Sequence, residues 1–582
     1  MARILYINLT KREHFFVDRH DLSEKYIGGV GVASKLLLEE CPQGIAPFSP
    51  DNPIILATGP MTGMFPVITK TVACFKSPLT NEYGESHAGG RLGAAMRWAG
   101  LDAIVVKGKA NRPAYISIHD SEVKVKNAET LWGMSSIRTV GRILREVEPG
   151  AGRRSILRIG RAGENLVRYA CVNVDTVRHF GRLGLGAVFG SKNLKAMVIE
   201  GTNDLFFKDV KKYSKVYDEI FGIVCKTKEM QKYHDLGTAS NVIPLNAMGA
   251  LPTRNFSSNT LENAERISGE HFAEHYLARK TACVGCPVGC IHVGWLREQF
   301  ADEHEYFTVY TPYDYEPIYA FGNNLGISDP HEVLRLIERC EVFGLDAITT
   351  GVYLGWLTDA LSNGVVTTKD TGLELKFGES EGYYHAIEKI AERDGELYDT
   401  LADSLDSTVK KYGGEPFTSQ TAGHPIAGYA TGIANILGHT FGARHSHLDN
   451  AGYSIDQKLA GKSFTVEEVV DMIISEEEFR QVLTSLVACL FARKIYTEDR
   501  IVACLDSIGI SKSKEELQKI GKEIMANKNA FKKREGFDIS KVKISQRLLD
   551  CPTPQGKLSQ EDIRKGIDYY IKRMENIAKK AE

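Results

Sequence analysis

The sequence lacks several features that mark particular classes of protein. Its 582 residues contain no uncharged apolar run of the roughly 18 to 20 residues that a membrane-spanning helix needs. Neither sign of charge dominates, since 72 Lys and Arg stand against 74 Asp and Glu, which argues against a general attraction to nucleic acid or anionic membranes. The N-terminus lacks the apolar core of a signal peptide. We therefore expect a cytoplasmic protein that binds neither nucleic acid nor membrane.

Cysteine is also scarce. Most of the 11 cysteines stand alone in the sequence, which does not resemble the disulfide framework of a secreted protein. We interpret the isolated cysteines as small buried hydrophobic residues. They are Cys41, Cys74, Cys171, Cys225, Cys340, Cys504 and Cys551.

Three other cysteines form a C-x2-C-x3-C cluster. Cys283, Cys286 and Cys290 lie among small residues and one proline. Thiolates at such spacings bind iron and sulfide or zinc. Both kinds of site use four ligands, so a further ligand must come from elsewhere in the chain. A zinc site in a binding protein remains an alternative to an iron-sulfur cluster.

The pattern of apolar residues along the sequence changes near residue 204. Short β-type runs separated by Gly, Pro and Asn precede it, and apolar residues at spacings of three and four predominate after it. We expect an α+β fold with a β-rich N-terminal domain (1–203) and two largely helical domains (204–415 and 416–582), divided by a Gly, Pro and Thr-rich break at 413–427. The predicted helices include 331–343, 346–362, 384–392, 477–492 and 514–532.

The β-rich domain contains two glycine clusters, at 86–93 and 178–186, each ahead of a predicted helix. Glycine lets backbone N–H groups approach a phosphate, and a helix N-terminus adds partial positive charge. Both loops could therefore hold anionic groups. Neither is a nucleotide-binding fingerprint, and glycines needed for turns or helix packing are the alternative interpretation.

Several segments in one order together resemble the tungsten-containing aldehyde:ferredoxin oxidoreductase family. The resemblance runs from about residue 1 to residue 540 and implies that family's fold, with a β-rich base for pterins and two helical domains. The segments are TGPMTG (58–63), FKSPLT (75–80), 84–108, 181–197, the cysteine cluster, 313–316, 344–346 and 533–537.

The resemblance implies an activity and its cofactors. The enzyme would oxidise aldehydes to carboxylic acids at tungsten held by two pyranopterins, with a magnesium ion between the pterin phosphates and no protein ligand to tungsten. A nearby [4Fe-4S] cluster would pass electrons to ferredoxin or a small iron-sulfur subunit. Molybdenum is an alternative metal, because the same pterin sulfurs would bind it. The resemblance is compatible with a homo-oligomer or a hetero-oligomer.

The resemblance also implies cofactor-binding residues. His87 and His179 stand where backbone carbonyls hold the magnesium ion, and Lys70 replaces an arginine between pterin and cluster, which keeps the charge but loses the guanidinium fork. The complete set is Lys70, His87, Ala88, Gly89, Gly90, Arg178, His179, Gly181, Arg182, Glu341, Gly344, Leu345, Asp346, Thr484 and Ala488.

Two pterin motifs depart from the family pattern. Glu341 and Thr484 each replace an aspartate, at the start of 341–346 and 484–489. A carboxylate can accept two hydrogen bonds from the amino edge of a pterin, whereas threonine offers weaker ones. We therefore expect one pterin to be bound differently from the other.

The fourth cluster ligand is chosen by register. The segment 506–511 mimics the family motif D-x-x-G-L-C with serine in last place, but the helix and the REGF sequence that follow match a later turn of the family. The segment 484–489 fits the register instead. Cys489 is therefore the expected fourth ligand, with Cys504 as the alternative.

A catalytic pair also follows from the resemblance. Glu316 matches the family's active-site glutamate and His445 its active-site histidine, with His447 as the alternative. Oxidation of an aldehyde adds a water-derived oxygen and removes a hydride equivalent, so it needs a base and a donor to the developing oxyanion. We expect Glu316 to activate water and His445 to donate to the carbonyl oxygen.

Two further alternatives remain open. The same scaffold resembles the tungsten subunit of dearomatising benzoyl-CoA reductases, which carry out low-potential reduction, and a cysteine near the metal would favour that function. The replacement of an aspartate by Thr484 also fits a zinc or iron-sulfur binding paralogue without tungsten.

Overall fold

The computed structural model describes residues 2–301 and 305–581. Its first six strands form one sheet in the order β2-β1-β6-β3-β4-β5. β1 and β6 run parallel, and the other neighbours in this sheet are antiparallel. The strands are β1 (Arg3–Asn8), β2 (Glu13–Asp18), β3 (Ile54–Ala57), β4 (Thr71–Lys76), β5 (Tyr83–Ala88) and β6 (Ala103–Lys107).

A second six-stranded sheet has the order β11-β10-β9-β12-β7-β8. β7 and β12 run parallel and the other neighbours are antiparallel. The strands are β7 (Ala114–His119), β8 (Glu122–Asn127), β9 (Ser155–Arg158), β10 (Val172–Val174), β11 (Arg178–Phe180) and β12 (Leu194–Glu200). Six helices connect these strands: α1 (His20–Tyr26), α2 (Gly29–Glu40), α3 (Leu92–Trp98), α4 (Ile137–Val147), α5 (Arg161–Glu164) and α6 (Leu185–Ser191).

The apolar runs of the first sheet are buried because both of its faces are covered. β3 and β4 are buried along their whole length, as expected for apolar strands covered on two sides. Leu56 on one face shares a core with Leu157 and Met197 of the second sheet. Ile55 on the other face packs in a core with Val30 of α2. The two sheets therefore form one packed unit at the start of the chain.

Helices make up most of the remaining chain, which confirms the predicted α+β fold. They are α7 (Val210–Lys226), α8 (Lys228–Asp235), α9 (Val242–Ala247), α10 (Gly269–His275), α11 (Tyr315–Phe321), α12 (Pro330–Phe343), α13 (Ala347–Ser362), α14 (Thr368–Thr371), α15 (Glu381–Glu392), α16 (Glu396–Asp403), α17 (Leu405–Tyr412), α18 (Ile433–Phe441), α19 (His447–Asn450), α20 (Gly452–Leu459), α21 (Val466–Ser485), α22 (Glu498–Ser507), α23 (Lys514–Arg534), α24 (Gln546–Asp550) and α25 (Gln560–Ala581).

Short elements interrupt the helices. A three-stranded antiparallel sheet, which the sequence pattern did not predict, consists of β13 (Leu277–Thr281), β14 (Ile291–Ala301) and β15 (Glu305–Tyr313). A two-stranded pair consists of β16 (Gln420–Thr421) and β17 (His424–Pro425). Single 3-10 turns occupy Gly237–Asn241, Ala264–Ile267, Asn323–Leu325, Glu415–Phe417, Leu490–Ala492 and Ile539–Lys541.

Helix boundaries follow local sequence signals, with one correction. α12 begins after Asp329, whose carboxylate accepts hydrogen bonds from backbone N–H groups of the first turn, and ends at Gly344 with a left-handed φ of 75°. The helix predicted over 477–492 instead spans Val466–Ser485. It ends early because Val487 adopts a φ of 54°, which no α-helix can contain. The predicted domain boundaries at 203 and 415 stay predictions.

No helix within residues 2–301 and 305–581 combines the length and apolar character needed to cross a membrane.

Two backbone bridges fasten the helical part to the first part of the chain. Ile68 pairs with Ala488, and Ala170 pairs with Leu345. The residues 488 and 345 belong to the two motifs expected to bind pterins. The fold therefore places both motifs on the same side of the β-rich part.

Candidate active site

A cavity of about 350 Å³ lies where the β-rich part meets the helices. Its wall contains most of the residues predicted for the site: Lys70, His87, Gly89, Arg178, His179, Gly181, Arg182, Glu316, Glu341, Leu345, Asp346, Thr484, Ala488 and Cys489. The other predicted residues are not part of the wall: Ala88, Gly90, Gly344, Cys283, Cys286, Cys290 and His445.

A carboxylate and a histidine meet in the cavity wall. Glu316 lies in the first turn of α11, and His447 is the first residue of α19, which follows the capping residue Ser446. Nε2 of His447 is 3.2 Å from Oε1 of Glu316. The hydroxyl of Tyr429 donates to the same oxygen at 3.0 Å. Residues that are far apart in the sequence thus form one hydrogen-bonded group.

These contacts determine the ionisation of Glu316. Burial alone would raise its pKa, but the hydrogen bond and charge of His447 and the hydrogen bond from Tyr429 hold the pKa below the ordinary value for glutamate. Nδ1 of His447 is buried and has no hydrogen-bond partner among the described residues. The group therefore combines an ionised carboxylate with a ring nitrogen available to another molecule.

His445, the histidine expected to be catalytic, faces a different environment. Its Nδ1 lies 3.0 Å from the backbone oxygen of His439, and its Nε2 lies 2.9 Å from Oε1 of Glu82. Nζ of Lys532 is 3.0 Å from the same Nε2. Both ring nitrogens are thus engaged away from the cavity. The structure brings His447, the alternative, to Glu316 and does not bring His445 there.

Cationic side chains cover one end of the cavity. Arg178, Arg182 and Arg444 lie in the wall. Arg444 is paired with the carboxylate of Asp449 at 2.5 Å, whereas Nη1 of Arg182 is buried without a hydrogen-bond partner in the described part of the chain. An unpaired buried guanidinium nitrogen is costly unless an anion binds it. The donor set therefore fits a phosphate group.

The first glycine cluster brings the backbone close to a cysteine. An added Cβ at Gly89 would lie 2.7 Å from Sγ of Cys283. The backbone N–H of Gly90 donates to the same sulfur at 3.2 Å. By contrast, a Cβ at Gly181 would meet no atom within 4 Å. Gly89 is thus required for a close approach, and Gly181 leaves space beside the cavity.

Of the four predicted cluster cysteines, Cys489 lies in this wall, whereas Cys283, Cys286 and Cys290 do not. Burial, with a smaller contribution from the nearby Cys489, raises the pKa of Cys286 to about 11 and that of Cys290 to about 12. No three His, Cys, Asp or Glu side chains of residues 2–301 and 305–581 are close enough to hold one metal ion. In a [4Fe-4S] cluster, four cysteine thiolates bind the cluster instead.

Cys489 and Cys504 differ in position. The N–H of Cys489 donates to the backbone oxygen of Val67 at 2.9 Å, just after the turn that ends α21. The N–H of Lys70 donates to the backbone oxygen of Val487 at 3.1 Å. One short backbone pairing, of residues 67–70 with residues 487–489, therefore holds both Lys70 and Cys489. Cys504 is instead buried inside α22. The structure brings Cys489, and not the alternative, to the cavity.

The two pterin motifs present different groups to the cavity. The carboxylate of Glu341 is 2.9 Å from Nε2 of His179. The hydroxyl of Thr484 instead donates to the backbone oxygen of Arg480 in its own helix, at 2.7 Å. Asp346 caps α13 and accepts from Arg182 at 3.3 Å. Asymmetric binding of two pterins stays a prediction.

The segment 506–511 lies away from the cavity. Asp506 is more than half exposed and pairs with Lys212 at 2.5 Å on the surface. This placement agrees with its assignment to a turn that carries no pterin or cluster.

Several wall residues were missed by reasoning from the sequence. Arg444 and Ser446 flank the histidine that was chosen, so their positions were a signal that could have been used. Cys171 was interpreted as a buried hydrophobic residue; it is buried but also lines the cavity. The same interpretation is wrong for Cys225, which is exposed. Other wall residues that were not predicted include Glu85 and Asp314, which belong to the family-like segments 84–108 and 313–316, and Thr238, His424, Leu448 and Phe491.

Comparisons with known proteins agree along the whole chain. Residues 4–201 match the family described as "Aldehyde ferredoxin oxidoreductase, N-terminal domain", and residues 215–575 match the one described as "Aldehyde ferredoxin oxidoreductase, domains 2 & 3". The "Tungsten-containing aldehyde ferredoxin oxidoreductase" of Pyrococcus abyssi is 32% identical over 579 residues, covering 95% of this chain and 92% of that protein. The one of Pyrococcus furiosus is 31% identical, with 97% and 94% covered.

Two further proteins are similar at lower sequence identity. An "Aliphatic sulfonate oxidoreductase, WOR-like subunit" of Pyrococcus furiosus is 29% identical, covering 77% of this chain and 72% of that protein. The solved structure "Active site complex BamBC of Benzoyl Coenzyme A reductase in complex with 1,5 Dienoyl-CoA" matches with a TM-score of 0.83 at 21% identity, covering 98% of this chain and 94% of that chain. The second likeness supports the fold alone.

Proposed function

Because the chain belongs to the aldehyde ferredoxin oxidoreductase family, we propose that it oxidises aldehydes to carboxylic acids in the cavity beside Glu316. The family predicted from the sequence motifs is confirmed, and this family implies an oxidoreductase with a tungsten-pterin cofactor. The observation that supports this site is the pair formed by Glu316 and His447, at 3.2 Å, in the wall of a cavity that also contains Cys489.

The residues present fit the cofactors of that chemistry. Arg178 and Arg182, with the backbone at Gly89, would hold pterin phosphates, and the carbonyls of His87 and His179 would hold magnesium. The pterins would lie along 341–346 and 484–488. When bound, the tungsten centre supplies a two-electron acceptor and the [4Fe-4S] cluster a one-electron carrier. Its ligands would be Cys283, Cys286, Cys290 and Cys489.

The side chains of the cavity supply the proton chemistry. Oxidation converts one aldehyde and one water into a carboxylic acid, two protons and two electrons. His447 and Tyr429 both hold Oε1 of Glu316, so Oε2 is the oxygen that would take a proton from water. Nδ1 of a protonated His447 would donate to the carbonyl oxygen of the substrate.

Lys70 would lie beside the cluster ligands, and the cluster would supply one-electron transfer to ferredoxin or a small iron-sulfur subunit. Lys70 lies in the cavity wall, and its Nζ is 3.5 Å from the Cβ position of Gly89, next to Cys283. A cation at this position would stabilise negative charge on a cluster held by these cysteines.

A direct test uses anaerobically purified protein. Elemental analysis for tungsten, molybdenum, iron and zinc is followed by assay of aldehyde-dependent benzyl viologen reduction. We expect tungsten, about four iron atoms per chain and viologen reduction that requires aldehyde. Zinc without iron, or a loaded protein that does not respond to any aldehyde of a broad panel, would contradict the proposal.

A low-potential reductase of the benzoyl-CoA reductase type is the second candidate. It is favoured by Cys171, because a cysteine lies in the cavity wall. However, the Cys171 thiol donates to Oδ1 of Asn173 at 3.7 Å, so it already has a partner in the wall. Loss of tungsten from Cys171→Ala would favour the reductase; unchanged aldehyde oxidation would favour the oxidase.

A further inference from the structure

The sheet that follows the cysteine cluster extends as a ribbon beyond its third strand. β13 pairs with β14 only from Ile291 to Gly294. The stretches 295–299 and 306–310 pair with each other, and the N–H of Trp295 also donates to the backbone oxygen of Tyr276 at 3.0 Å. One face of this ribbon is covered by α12, since Leu296 is buried and Glu298 lies 3.3 Å from His331 of that helix. On the opposite face, the Trp295 ring lies 6.5 Å from the ring of Tyr276, the residue that follows α10.

That opposite face is aromatic and exposed. Trp295 lies across from Tyr310, and their side chains share one face with Arg297 and Tyr306 by strand alternation. Trp295, Tyr306 and Tyr310 are 38%, 39% and 53% exposed. The guanidinium of Arg297 lies 4.4 Å from the ring centre of Tyr306. We name these four residues the aromatic ribbon face. Trp, Tyr and Arg are the residues that dominate protein–protein binding energy.

The aromatic ribbon face is joined directly to the cysteine loop. β14 begins at Ile291, the residue after Cys290, and Ile291 pairs with Thr281 at the other end of the loop. Gly285 and Pro287 of the loop are exposed. Residues 291–294, which join the loop to the aromatic ribbon face, are buried, and the exposed Arg279, which pairs with Val293, lies beside them.

The surroundings of the loop are positively charged. Arg279 lies 6.0 Å from the ring of Tyr310, and Lys226, Lys228 and Lys232 are exposed on α7 and α8. Nδ1 of His234 in α8 contacts the oxygen of Val288 in the cysteine loop at 2.7 Å. The nearby acids include Glu229, which pairs with Lys494 at 3.1 Å, Asp235, which lies 4.0 Å from Lys280, and Glu305 at the start of β15. Glu270, whose charge acts on Lys232, and the exposed Glu274 also lie nearby on α10. Among these described side chains, the cations, with Lys280, Arg297 and Lys494, still outnumber the acids.

We propose that the aromatic ribbon face, with the lysines of α8, docks a small acidic iron-sulfur protein that takes electrons one at a time from the cluster held beside it. The inference rests on the proposed function, because it requires electrons to reach the cysteine loop. An acidic partner complements the excess positive charge. A second copy of this chain would instead bring like charge against like charge, so it is the less favourable occupant.

Two electron acceptors distinguish an effect on protein docking from an effect on aldehyde oxidation itself. Benzyl viologen is small and needs no docking face, whereas an acidic two-cluster [4Fe-4S] ferredoxin does. In the loaded enzyme, Arg297→Glu and the double variant Trp295→Ser with Tyr310→Ser should each raise the KM for the ferredoxin about tenfold or more. The viologen rate should stay within about twofold, because the cavity is untouched. Raised ionic strength should also raise the KM of the native chain.

Matched controls lie on the β-rich part. Arg142→Glu changes an exposed arginine of α4, and Phe15→Ser changes an exposed aromatic of β2; both should leave the ferredoxin KM unchanged. Because Trp295 also lies 6.5 Å from the Tyr276 ring, the iron content and melting temperature of the double variant are measured, and Arg297→Glu keeps the test valid if that variant unfolds.

The outcomes distinguish the inference from the function on which it rests. Absence of aldehyde-dependent viologen reduction in the native chain would overturn the proposed function. Normal viologen reduction with a ferredoxin KM that neither variant changes would overturn the docking face alone. A native dimer that light scattering shows to dissociate in both ribbon variants would identify a second copy as the occupant, which also overturns the inference.

Discussion

Nε2 of His447 lies 3.2 Å from Oε1 of Glu316. This contact joins the first turn of α19 to the first turn of α11. Tyr429 donates to the same oxygen at 3.0 Å. A buried carboxylate with two donors stays ionised at neutral pH, and the pKa of Glu316 is accordingly below its ordinary value. The contact therefore supplies a base that is ready to accept a proton inside the cavity.

Glu316→Gln should remove this base. The glutamine amide keeps the shape of the side chain but cannot take a proton, so kcat for aldehyde oxidation should fall about 10²- to 10⁴-fold. Tungsten and iron contents should not change. Glu262→Gln is the matched control, since Glu262 pairs with Arg254 on the surface at 2.9 Å. Full activity of Glu316→Gln would exclude Glu316 as the base.

The two histidines should respond differently to replacement by asparagine. His447→Asn removes a donor to Glu316 and should lower kcat about 10²-fold or more. His445→Asn should mainly reduce stability, by about 2 to 4 kcal/mol, because it leaves the buried partners Glu82 and Lys532 without its ring. Denaturant unfolding and kcat of the folded enzyme separate the two effects. Loss of kcat in His445→Asn at full stability would restore the family-based assignment.

Tyr429→Phe tests the pH dependence. The base must be ionised, so activity rises with pH through the pKa of Glu316. The Tyr429 hydrogen bond lowers that pKa, hence its removal should shift the acid limb of the kcat profile to higher pH, by up to about one unit, or about 1.4 kcal/mol. The rate at the pH plateau should change little. An acid limb that stays fixed or moves to lower pH would show that Glu316 does not control it.

The sequence predicted the fold and about half of the cavity wall, because the order and register of the motifs carry that information. Asp329 and Gly344 mark the ends of α12, and the resemblance supplied both pterin motifs. The choice between His445 and His447 depends on where two side chains point after a tight turn at which His445 has a φ of 53°. Alignment with a family motif does not show which of two histidines, two residues apart, has its side chain facing the cavity.

The ribbon was missed for a related reason. The stretch 291–313 lies between helical segments, and its alternation is weak because Trp295 and Tyr310 are aromatic on the exposed face while Leu296 is buried on the other. A strand with apolar residues on both faces gives no period of two. The ribbon is recognised only from the pairing of β14 with β15 in the structure.

Cys489→Ser and Cys504→Ser make the same chemical change at two distances from the cavity. Cys489→Ser should lower the iron content and abolish reduction of both viologen and ferredoxin, because a serine hydroxyl does not replace a cluster thiolate. Cys504→Ser should keep iron and activity and cost about 1 kcal/mol of stability for a buried polar group. Iron analysis and the visible absorption of the cluster measure the difference. The reverse pattern would make Cys504 the fourth ligand.

Gly89→Ala tests the close approach between the first glycine cluster and the cysteine loop. The added Cβ would lie 2.7 Å from Sγ of Cys283 and 3.4 Å from Cδ of Arg178, closer than the carbon and sulfur atoms can pack. The thiol must move away from its N–H donor, Gly90, so iron content should fall to about half or less. Gly222→Ala is the control, because its Cβ would meet nothing within 4 Å in α7 and should raise helix stability by up to about 1 kcal/mol. Equal iron contents in the two variants would mean that the loop adapts, and that the contact between Gly89 and Cys283 does not position the cluster.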